Sequence, residues 1–286
     1  MKAILTPSLS LPGRGGSVQS LLRTHGLRPN KRLGQSFLAD PSALGRIADA
    51  ADLRPDDVVV EVGAGLGTLT RLLAERAGRV LAVEIDDGLL KVLREQVAGL
   101  VNVQIVPGDI LRVRPFGLTP RGYKVIGNLP YYITSAILRR FLEQEPRPSL
   151  MVTTVQQEVA ERIVAGPGEM SLLAVSVQFY GQPRIVSRIP AGAFYPPPEV
   201  DSAVLRIDVL EQPAVPGVDE KAFFRAVRAG FGQKRKTLRN SLRAGLVLDA
   251  AQVVAALNRA GVDPERRAET LSLAEWGAVV RALAVP

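Results

Sequence analysis

The chain alternates between short apolar runs and longer amphipathic stretches. Runs such as Val58–Val62 are continuous and rich in β-branched residues, which is typical of strands that are buried on both faces. The stretches between them repeat their apolar residues at helical spacing. We predict strands, in chain order, at Val58–Val62, Arg79–Ile85, Val103–Val106, Tyr123–Ile126 and Ser149–Val155. We predict helices at Leu66–Ala77, Asp87–Ala98, Ile133–Leu142 and Glu158–Ala165, preceded by a helix that starts at Asp40-Pro41.

Strands that alternate with helices of this length predict an α/β fold, a Rossmann-like sheet that is mostly parallel and covered on both faces. Two more strand-like runs, Arg184–Ile189 and Ala203–Val209, follow Pro183 and are joined through a Pro-rich turn. We expect them to form an antiparallel end to the sheet. Residues 28–210 are therefore predicted to be one α/β domain.

The two ends of the chain have a different pattern. Residues 1–27 are rich in Gly, Ser and Pro and are predicted to be a flexible extension. Residues 211–218 contain Pro213, Pro216 and Gly217, which indicates a linker. Residues 219–286 are predicted to be a small all-helical domain, with helices at Phe223–Phe231, Lys234–Arg243, Asp249–Ala260 and Leu273–Ala284.

The composition excludes several classes of chemistry. The chain has no cysteine and one histidine, so we expect no disulfide, no thiolate nucleophile and no metal site. No apolar run approaches the roughly 18 residues that a membrane span needs, and no secretory signal is recognisable. We therefore expect a cytoplasmic protein without a membrane partner.

Positive charge is concentrated at the two ends of the chain. The net charge is +8 overall, made up of +6 in residues 1–39, −2 in residues 40–210 and +4 in residues 211–286. This distribution indicates a polyanionic partner that contacts both ends. A merely solubilising surface is the alternative.

A glycine-rich turn follows the first predicted strand. Gly63 and Gly65 would let the backbone approach a nucleotide-like ligand closely. Glu84 ends the second strand, where an acid can accept hydrogen bonds from both ribose hydroxyls. Asp109 ends the third strand, where it can meet the exocyclic amine of an adenine ring. The third glycine comes one place earlier than in the dinucleotide fingerprint of dehydrogenases, which favours S-adenosylmethionine over a nicotinamide cofactor.

The tetrapeptide Asn128-Leu129-Pro130-Tyr131 follows the fourth strand and is suited to methylating an amino group. The Asn128 side-chain oxygen and the Leu129 carbonyl can each accept one N–H bond from an exocyclic amine. That arrangement would aim the nitrogen lone pair at a methyl group, so the chemistry rests on positioning and electrostatics. Tyr131 offers a face for the base. Phe194, in a rigid Pro-rich loop, could complete a sandwich around a flipped adenine, or could plug the core instead.

Two basic segments are candidates for RNA contact. Lys31 and Arg32 lie ahead of the first helix of the α/β domain, and the second segment, Phe231–Arg243, has no acidic residue within it. On the predicted helix, Arg235, Arg239 and Arg243 would share one face suited to phosphates. The basic residues expected to contact RNA are Lys31, Arg32, Lys234, Arg235, Lys236, Arg239 and Arg243.

Together these motifs resemble the ribosomal RNA adenine N6,N6-dimethyltransferase family of the bacterial small-subunit type. The resemblance covers roughly residues 28–286 and is carried in order by Lys31–Leu38, Glu61–Thr70, Asn128–Tyr131, Val155–Val159, Phe194–Ala203 and Phe231–Leu242. We would not expect the last of these segments in the related large-subunit enzymes of macrolide resistance.

The resemblance implies a class I methyltransferase fold, S-adenosylmethionine as cofactor and an acceptor site at Asn128, Leu129, Tyr131 and Phe194. It implies cofactor contacts at Ser36, Leu38, Gly63, Glu84, Asp109 and Asn128, to which the glycine turn adds Gly65. The implied substrate is a pair of adjacent adenosines in a hairpin loop near the 3′ end of 16S rRNA, within an immature 30S subunit. We expect the protein to act as a monomer.

The sequence departs from the family at two positions. Ser36 replaces the usual Asn, and Ala64 replaces the Pro of a Gly-Pro-Gly turn. Three alternatives remain open at this point: a 23S rRNA adenine N6-methyltransferase, a non-catalytic RNA-binding assembly factor with the same fold, and a nicotinamide dehydrogenase.

Overall fold

The structure, a computed structural model, describes residues 17–113, 119 and 122–284. Its strands are β1 (Phe37–Leu38), β2 (Val58–Val62), β3 (Arg79–Glu84), β4 (Val103–Pro107), β5 (Lys124–Asn128), β6 (Leu150–Gln156), β7 (Gly181–Ile189), β8 (Phe194–Tyr195) and β9 (Ser202–Val209). Its helices are α1 (Val18–Thr24), α2 (Pro41–Ala50), α3 (Thr68–Ala74), α4 (Asp87–Gln96), α5 (Thr134–Glu143), α6 (Gln157–Val164), α7 (Leu172–Gln178), α8 (Glu220–Phe231), α9 (Leu238–Leu246), α10 (Ala250–Arg259) and α11 (Leu273–Leu283).

Seven strands form one sheet in the order β4-β3-β2-β5-β6-β9-β7. The first five of these are parallel, whereas β9 pairs antiparallel with both β6 and β7. The prediction of a mostly parallel sheet with an antiparallel end is thus confirmed. The chain reverses its direction of winding at β2, which lies between β3 and β5. In such sheets the crevice at the carboxyl ends of these strands is where ligands bind.

The central strands are buried on both faces, as their continuous apolar runs predict. On β2, Val60 and Val62 belong to one apolar cluster, whereas Val59 belongs to another on the opposite face. The helices that cover the sheet start where the sequence signals them. The Asp40 carboxylate accepts a hydrogen bond from the Ser42 amide at 3.0 Å, and Pro41 occupies the first helical position of α2.

Residues 1–27 were predicted to be a flexible extension. This prediction is wrong for residues 18–24, which form helix α1. Ser17 caps this helix, and its Val18 and Leu22 side chains are 7% and 3% exposed. Both pack against Leu66 of the glycine turn and Leu89 of α4. The composition misled the prediction because a helix of seven residues gains its stability from this packing rather than from its own propensity. Residues 1–16 of the same prediction lie outside the described residues.

Helices α8–α11 follow the sheet in sequence, and the described residues between them contain no strand. Their buried apolar side chains belong to the same core as those of the sheet region. The Phe179 and Phe223 ring centroids lie 4.5 Å apart, and the Trp276 side chain is fully buried. The predicted linker 211–218 contains no helix or strand, but it is packed: Val215 is 4% exposed and the Ala214 amide donates to the Phe179 carbonyl at 2.8 Å.

The predicted helix Lys234–Arg243 is wrong in its first part. α8 ends at Phe231 and α9 starts only at Leu238, so residues 232–237 form a turn. The Leu238 amide donates to the Arg266 carbonyl at 2.7 Å, which holds the start of α9 against a neighbouring loop. Lys234, Arg235 and Lys236 therefore lie on the turn. Arg235 does not share a helical face with Arg239 and Arg243.

Three further elements, α7, β1 and β8, were not predicted. α7 starts at the cap residue Ser171, whose hydroxyl accepts a hydrogen bond from the Ala174 amide at 3.1 Å. β1 and β8 form a two-stranded antiparallel sheet in which Leu38 lies opposite Phe194. No helix among the described residues combines the length and the apolar character needed to cross a lipid bilayer.

Candidate functional site

The turn between β2 and α3 holds three glycines in the left-handed region. Gly63, Gly65 and Gly67 have φ angles of 72°, 58° and 78°, which a residue with a side chain adopts only under strain. The Gly63 and Ala64 amides both donate to the Val83 carbonyl, at 3.0 and 3.1 Å. The turn is therefore tied to the end of β3, and its backbone lies open toward the crevice of the sheet.

Glu84 at the end of β3 faces this turn. One carboxylate oxygen accepts a hydrogen bond from the Gly65 amide at 2.7 Å, and the other accepts from the Ile85 and Asp86 amides, both at 2.9 Å. The side chain is 5% exposed. Burial raises the pKa of Glu84, and the three amide donors oppose that effect. The carboxyl group is consequently held in one orientation at the edge of the crevice.

Asn128 ends β5, beside the glycine turn. Its amide nitrogen donates to the Ser36 carbonyl at 2.8 Å, and no hydrogen bond to its side-chain oxygen is found among the described residues, so that oxygen can accept. The Ser36 hydroxyl in turn donates to the Pro196 carbonyl at 2.7 Å. A β-carbon built on Gly63 would lie 3.7 Å from the Asn128 carbonyl oxygen, so the two elements are in close contact.

A single cleft joins residues that the sequence assigned to two separate tasks. Gly63, Gly65 and Glu84, predicted to bind a cofactor, line it together with Asn128, Leu129 and Tyr131 of the acceptor motif. Ser36 and its neighbours form another wall of the same cleft. Leu38 lines an adjoining cavity, which also reaches Gly63, Gly65 and Asn128.

Asp109 lines a third cavity that shares Gly63, Ile85 and Pro130 with the main cleft. One of its carboxylate oxygens accepts a hydrogen bond from the Leu111 amide at 2.9 Å. The walls beside it are apolar and include Val83 and Ile85. The described residues thus place an acid beside an apolar slot, and its role toward a ligand stays a prediction.

The acceptor motif is held rigidly on both sides of Pro130. The Leu129 side chain is 2% exposed, and its amide donates to the Thr154 carbonyl at 3.2 Å. The Tyr131 hydroxyl lies 2.6 Å from the Ser202 hydroxyl, and burial raises the pKa of Tyr131. The ring is only half-buried, so part of it remains available to the cleft.

Phe194 is not among the described residues that line the cleft. Its side chain is 4% exposed and packs in the apolar cluster that includes Leu44, Ile47 and Val204. The described residues therefore show Phe194 filling the core, which is the alternative that the sequence left open, and not an open face opposite Tyr131. A stacking role for Phe194 stays a prediction and requires the ring to leave this cluster.

The basic residues occupy exposed positions in two places. Lys31 and Arg32 are exposed on a short 3-10 helix, Lys31–Leu33, whose last residue lines the cleft. In the C-terminal segment, Lys234, Arg235, Lys236, Arg239 and Arg243 are all exposed. Arg239 differs from the others on that segment because its guanidinium pairs with the Glu265 carboxylate at 2.9 Å.

Glu61 was missed as a site residue. Its side chain is 1% exposed and lines the cavity that Gly63 and Asn128 share. One carboxyl oxygen has no hydrogen-bond partner among the described residues, and burial raises the pKa of Glu61 to about 8. The signal in the sequence was an acid within the otherwise apolar strand Val58–Val62, where an unpaired charge is costly.

The chain is similar in sequence to a known protein family and to several named proteins. The family described as "Ribosomal RNA adenine dimethylase" matches residues 26–284. A protein of Dehalococcoides mccartyi named "Ribosomal RNA small subunit methyltransferase A" is 50% identical over 273 residues, which cover 95% of this chain and 92% of that protein. A protein of the same name from Moorella thermoacetica is 44% identical over 288 residues, covering 96% and 99%.

Solved structures show the same fold. A 23S rRNA methyltransferase, ErmE, superimposes with a TM-score of 0.69 at 32% identity, covering 86% of this chain and 99% of that one. A dimethyladenosine transferase from Plasmodium falciparum superimposes with a TM-score of 0.75 at 23% identity, covering 85% and 95%. The second likeness concerns the fold alone.

Proposed function

Since this chain belongs to the ribosomal RNA adenine dimethylase family, we propose that it transfers methyl groups from S-adenosylmethionine to two adjacent adenosines near the 3′ end of 16S rRNA. It is an rRNA adenine dimethyltransferase, and its curated relatives are named for the small ribosomal subunit. The observation that carries the proposal is the single cleft shared by Gly63, Glu84 and Asn128. Family membership removes the dehydrogenase as an explanation, and the presence of Gly63, Glu84, Asp109 and Asn128 argues against a non-catalytic assembly factor.

The donor set of the cleft fits the proposed cofactor. Glu84 accepts three amide hydrogen bonds and, with about four acceptor positions on a carboxylate, retains one for a ribose hydroxyl, which can only donate to it. The Asp109 carboxylate and the apolar walls beside it suit the amino group and the ring of an adenine. The buried Glu61 carboxyl has one oxygen without a hydrogen-bond partner among the described residues, so a bound ligand could supply that partner. When bound, this cofactor supplies an electrophilic methyl group.

The residues of the acceptor motif would act by orientation. The Asn128 oxygen is free to accept one N–H of an adenine amine, because the amide nitrogen is held by Ser36. The Leu129 carbonyl would accept the second N–H, and the half-buried Tyr131 ring would support the base. Such fixed acceptors favour the transition state without a strong general base, because the amine loses its proton after transfer.

Exposed positive charge supports an RNA substrate. The basic turn Lys234–Lys236 and the basic pair Lys31 and Arg32 are exposed, and the acids flanking the C-terminal basic segment are Glu220 and Asp249. Phosphate contacts at two places on one molecule suit a folded RNA within a particle better than a single-stranded oligonucleotide. We propose the immature 30S subunit as the partner and a monomer as the active form.

The likeness of this chain to the 23S rRNA methyltransferase ErmE is the observation that favours 23S rRNA as an alternative substrate. A direct assay separates the two substrates. The protein is incubated with radiolabelled cofactor and either 30S precursors or 23S rRNA fragments. We expect label in 16S rRNA, with mass spectrometry showing two adjacent dimethyladenosines. Label that appears only in 23S rRNA would overturn the choice of substrate.

A further inference from the structure

An arginine of α5 holds the loop that carries Asp109. The Arg140 guanidinium donates to the Leu111 carbonyl at 2.7 Å through one terminal nitrogen and to the Val113 carbonyl at 2.6 Å through the other. Hydrogen bonds with a charged donor are roughly twice as strong as neutral ones. The two carbonyls belong to a part of the chain with no helix or strand, so the fork ties residues 111 and 113 to α5.

The loop itself is a tight turn around Asp109. The Arg112 and Val113 amides donate to the Asp109 carbonyl at 2.8 and 2.7 Å, and its carboxylate accepts from the Leu111 amide at 2.9 Å. Gly108 has a φ of 138°, and a β-carbon there would lie 2.7 Å from the Val113 side chain. Val113 is thus folded back over Gly108. Holding the carbonyls of Leu111 and Val113 fixes the turn and, with it, the direction of the Asp109 carboxylate.

The position of Arg140 on α5 connects this loop with the acceptor motif. Ile137, one turn earlier on the same helix, is fully buried and lines the cavity of Asp109. The helix starts at Thr134, whose hydroxyl donates to the Pro130 carbonyl at 3.2 Å. Helix α5 therefore contacts the acceptor motif through Thr134 and the Asp109 loop through Arg140. Between them, Ile137 forms part of the cavity wall.

We propose that Arg140 is a positioning residue for the adenine end of the cofactor, acting through Asp109. The proposal rests on the proposed function, because it assumes that this cavity receives the adenine of S-adenosylmethionine. Arg140 is not placed in contact with the cofactor. Its effect is to keep the Asp109 carboxylate where an exocyclic amine can donate to it.

The test measures cofactor affinity by isothermal titration calorimetry with S-adenosylhomocysteine on the full chain. Losing both charged hydrogen bonds to the loop should raise the dissociation constant of Arg140→Ala about tenfold or more. Transfer at saturating cofactor should stay within about twofold, since the acceptor site is untouched. Arg140→Lys, which offers one donor group in place of a fork, should give an intermediate dissociation constant.

Arg139→Ala is the matched control. Arg139 is the neighbouring residue on α5, but its guanidinium binds the Glu143 carboxylate at 2.7 Å on the exposed side of the helix. Arg139→Ala changes the composition and the charge of α5 by the same amount as Arg140→Ala does. It should leave the dissociation constant of S-adenosylhomocysteine unchanged. Thermal unfolding of all variants separates a loss of fold from a loss of affinity.

Two further measurements distinguish positioning from general loosening. S-inosylhomocysteine lacks the amine that Asp109 would bind, so its dissociation constant should hardly respond to Arg140→Ala. In a double-mutant cycle with Asp109→Ala, the two losses for S-adenosylhomocysteine should not add. Equal losses for both analogues, additive losses, or an unchanged affinity of Arg140→Ala would each overturn the inference. A wild-type protein that binds neither S-adenosylhomocysteine nor S-adenosylmethionine would instead overturn the proposed function and this inference together.

Discussion

The amide nitrogen of Asn128 donates a 2.8 Å hydrogen bond to the backbone carbonyl of Ser36, 92 residues earlier in the chain. This bond assigns the two ends of the asparagine amide, because the nitrogen is engaged by Ser36 and the oxygen is left to accept. Ser36 also donates to the Pro196 carbonyl at 2.7 Å. Three motifs that are far apart in sequence thus meet at one residue, where the family usually has Asn.

Replacing Asn128 should abolish most of the activity. Asn128→Ala removes the oxygen that would accept an N–H of the adenine, and loss of such an acceptor lowers the rate roughly 100-fold or more. The measurement is single-turnover methyl transfer to 30S precursors at saturating cofactor. Near-normal turnover in a variant with an unchanged melting temperature would contradict the role of Asn128.

Phe194 tests whether a buried ring also takes part in the reaction. Phe194→Ala should destabilise the protein by about 3–5 kcal/mol, because it leaves a cavity in the cluster with Leu44 and Ile47. Phe194→Leu fills most of that space but offers no aromatic face. If the ring emerges to stack on the base, the leucine variant should fold and transfer methyl groups at least tenfold more slowly, since base stacking contributes about 1–3 kcal/mol. Full activity of Phe194→Leu would assign the residue to the core alone.

Glu61 should make stability depend on pH. Burial raises the pKa of Glu61 to about 8 from 4.5, so the folded state holds its proton more tightly than the unfolded state. Because the unfolded state loses this proton at lower pH than the folded state, Glu61 lowers the free energy of unfolding increasingly as pH rises from about 4.5 to about 8, and by a constant amount above that. Glu61→Gln removes this effect.

We therefore expect Glu61→Gln to unfold at a higher temperature than the wild type at pH 9 but at nearly the same temperature at pH 4.5. Thermal unfolding of both proteins across this range gives the difference directly, and other titrating groups cancel between them. A difference that does not change with pH would contradict the raised pKa.

The basic turn should dominate the electrostatic part of particle binding. Lys234, Arg235 and Lys236 are exposed on the turn, and no ion pair engages them within the part of the chain that the structure describes. Replacing all three with Ala should flatten the logarithmic dependence of affinity on salt by about 2–3 units, at roughly 0.7–0.9 per phosphate contact. Binding of 30S precursors measured between low and moderate salt gives this slope.

Arg239→Ala serves as the comparison for the basic turn. Its guanidinium is already paired with Glu265 at 2.9 Å, so it has less to gain from a phosphate. We expect its slope to change by clearly less than the roughly 0.7–0.9 units that one full phosphate contact contributes. An unchanged slope for the triple variant would show that the turn does not contact phosphate.

Local pattern was sufficient for the main strands and for the positions of Glu84 and Asp109 after β-strand runs. Val58–Val62 is a strand with the bounds that its apolar run indicates, and Glu84 lies at the end of β3 opposite the glycine turn. Both follow from neighbours in sequence: β-branched runs favour buried strands, and parallel strands bring their carboxyl ends to one edge. The arrangement of Gly63, Glu84 and Asn128 around one cleft is a consequence of that topology.

Pattern failed where a segment depends on distant partners. α1 is held by Leu66 and Leu89, and the break between α8 and α9 depends on the Arg266 carbonyl. Helical periodicity in a basic stretch could not reveal that its first residues form a turn. These segments are too short or too polar for their own propensity to decide their conformation.

The amino-acid sequence by itself determined the fold class, the glycine turn, the acids at the ends of the strands and the acceptor motif, because each is written in adjacent residues. Only the tertiary structure decided that Phe194 is buried, that Ser36 holds the Asn128 amide and that Arg140 binds the loop of Asp109. Those three facts depend on which side chains meet after folding, and contacts between residues that are far apart in the chain, such as the 92 positions from Ser36 to Asn128, leave no local signal in it.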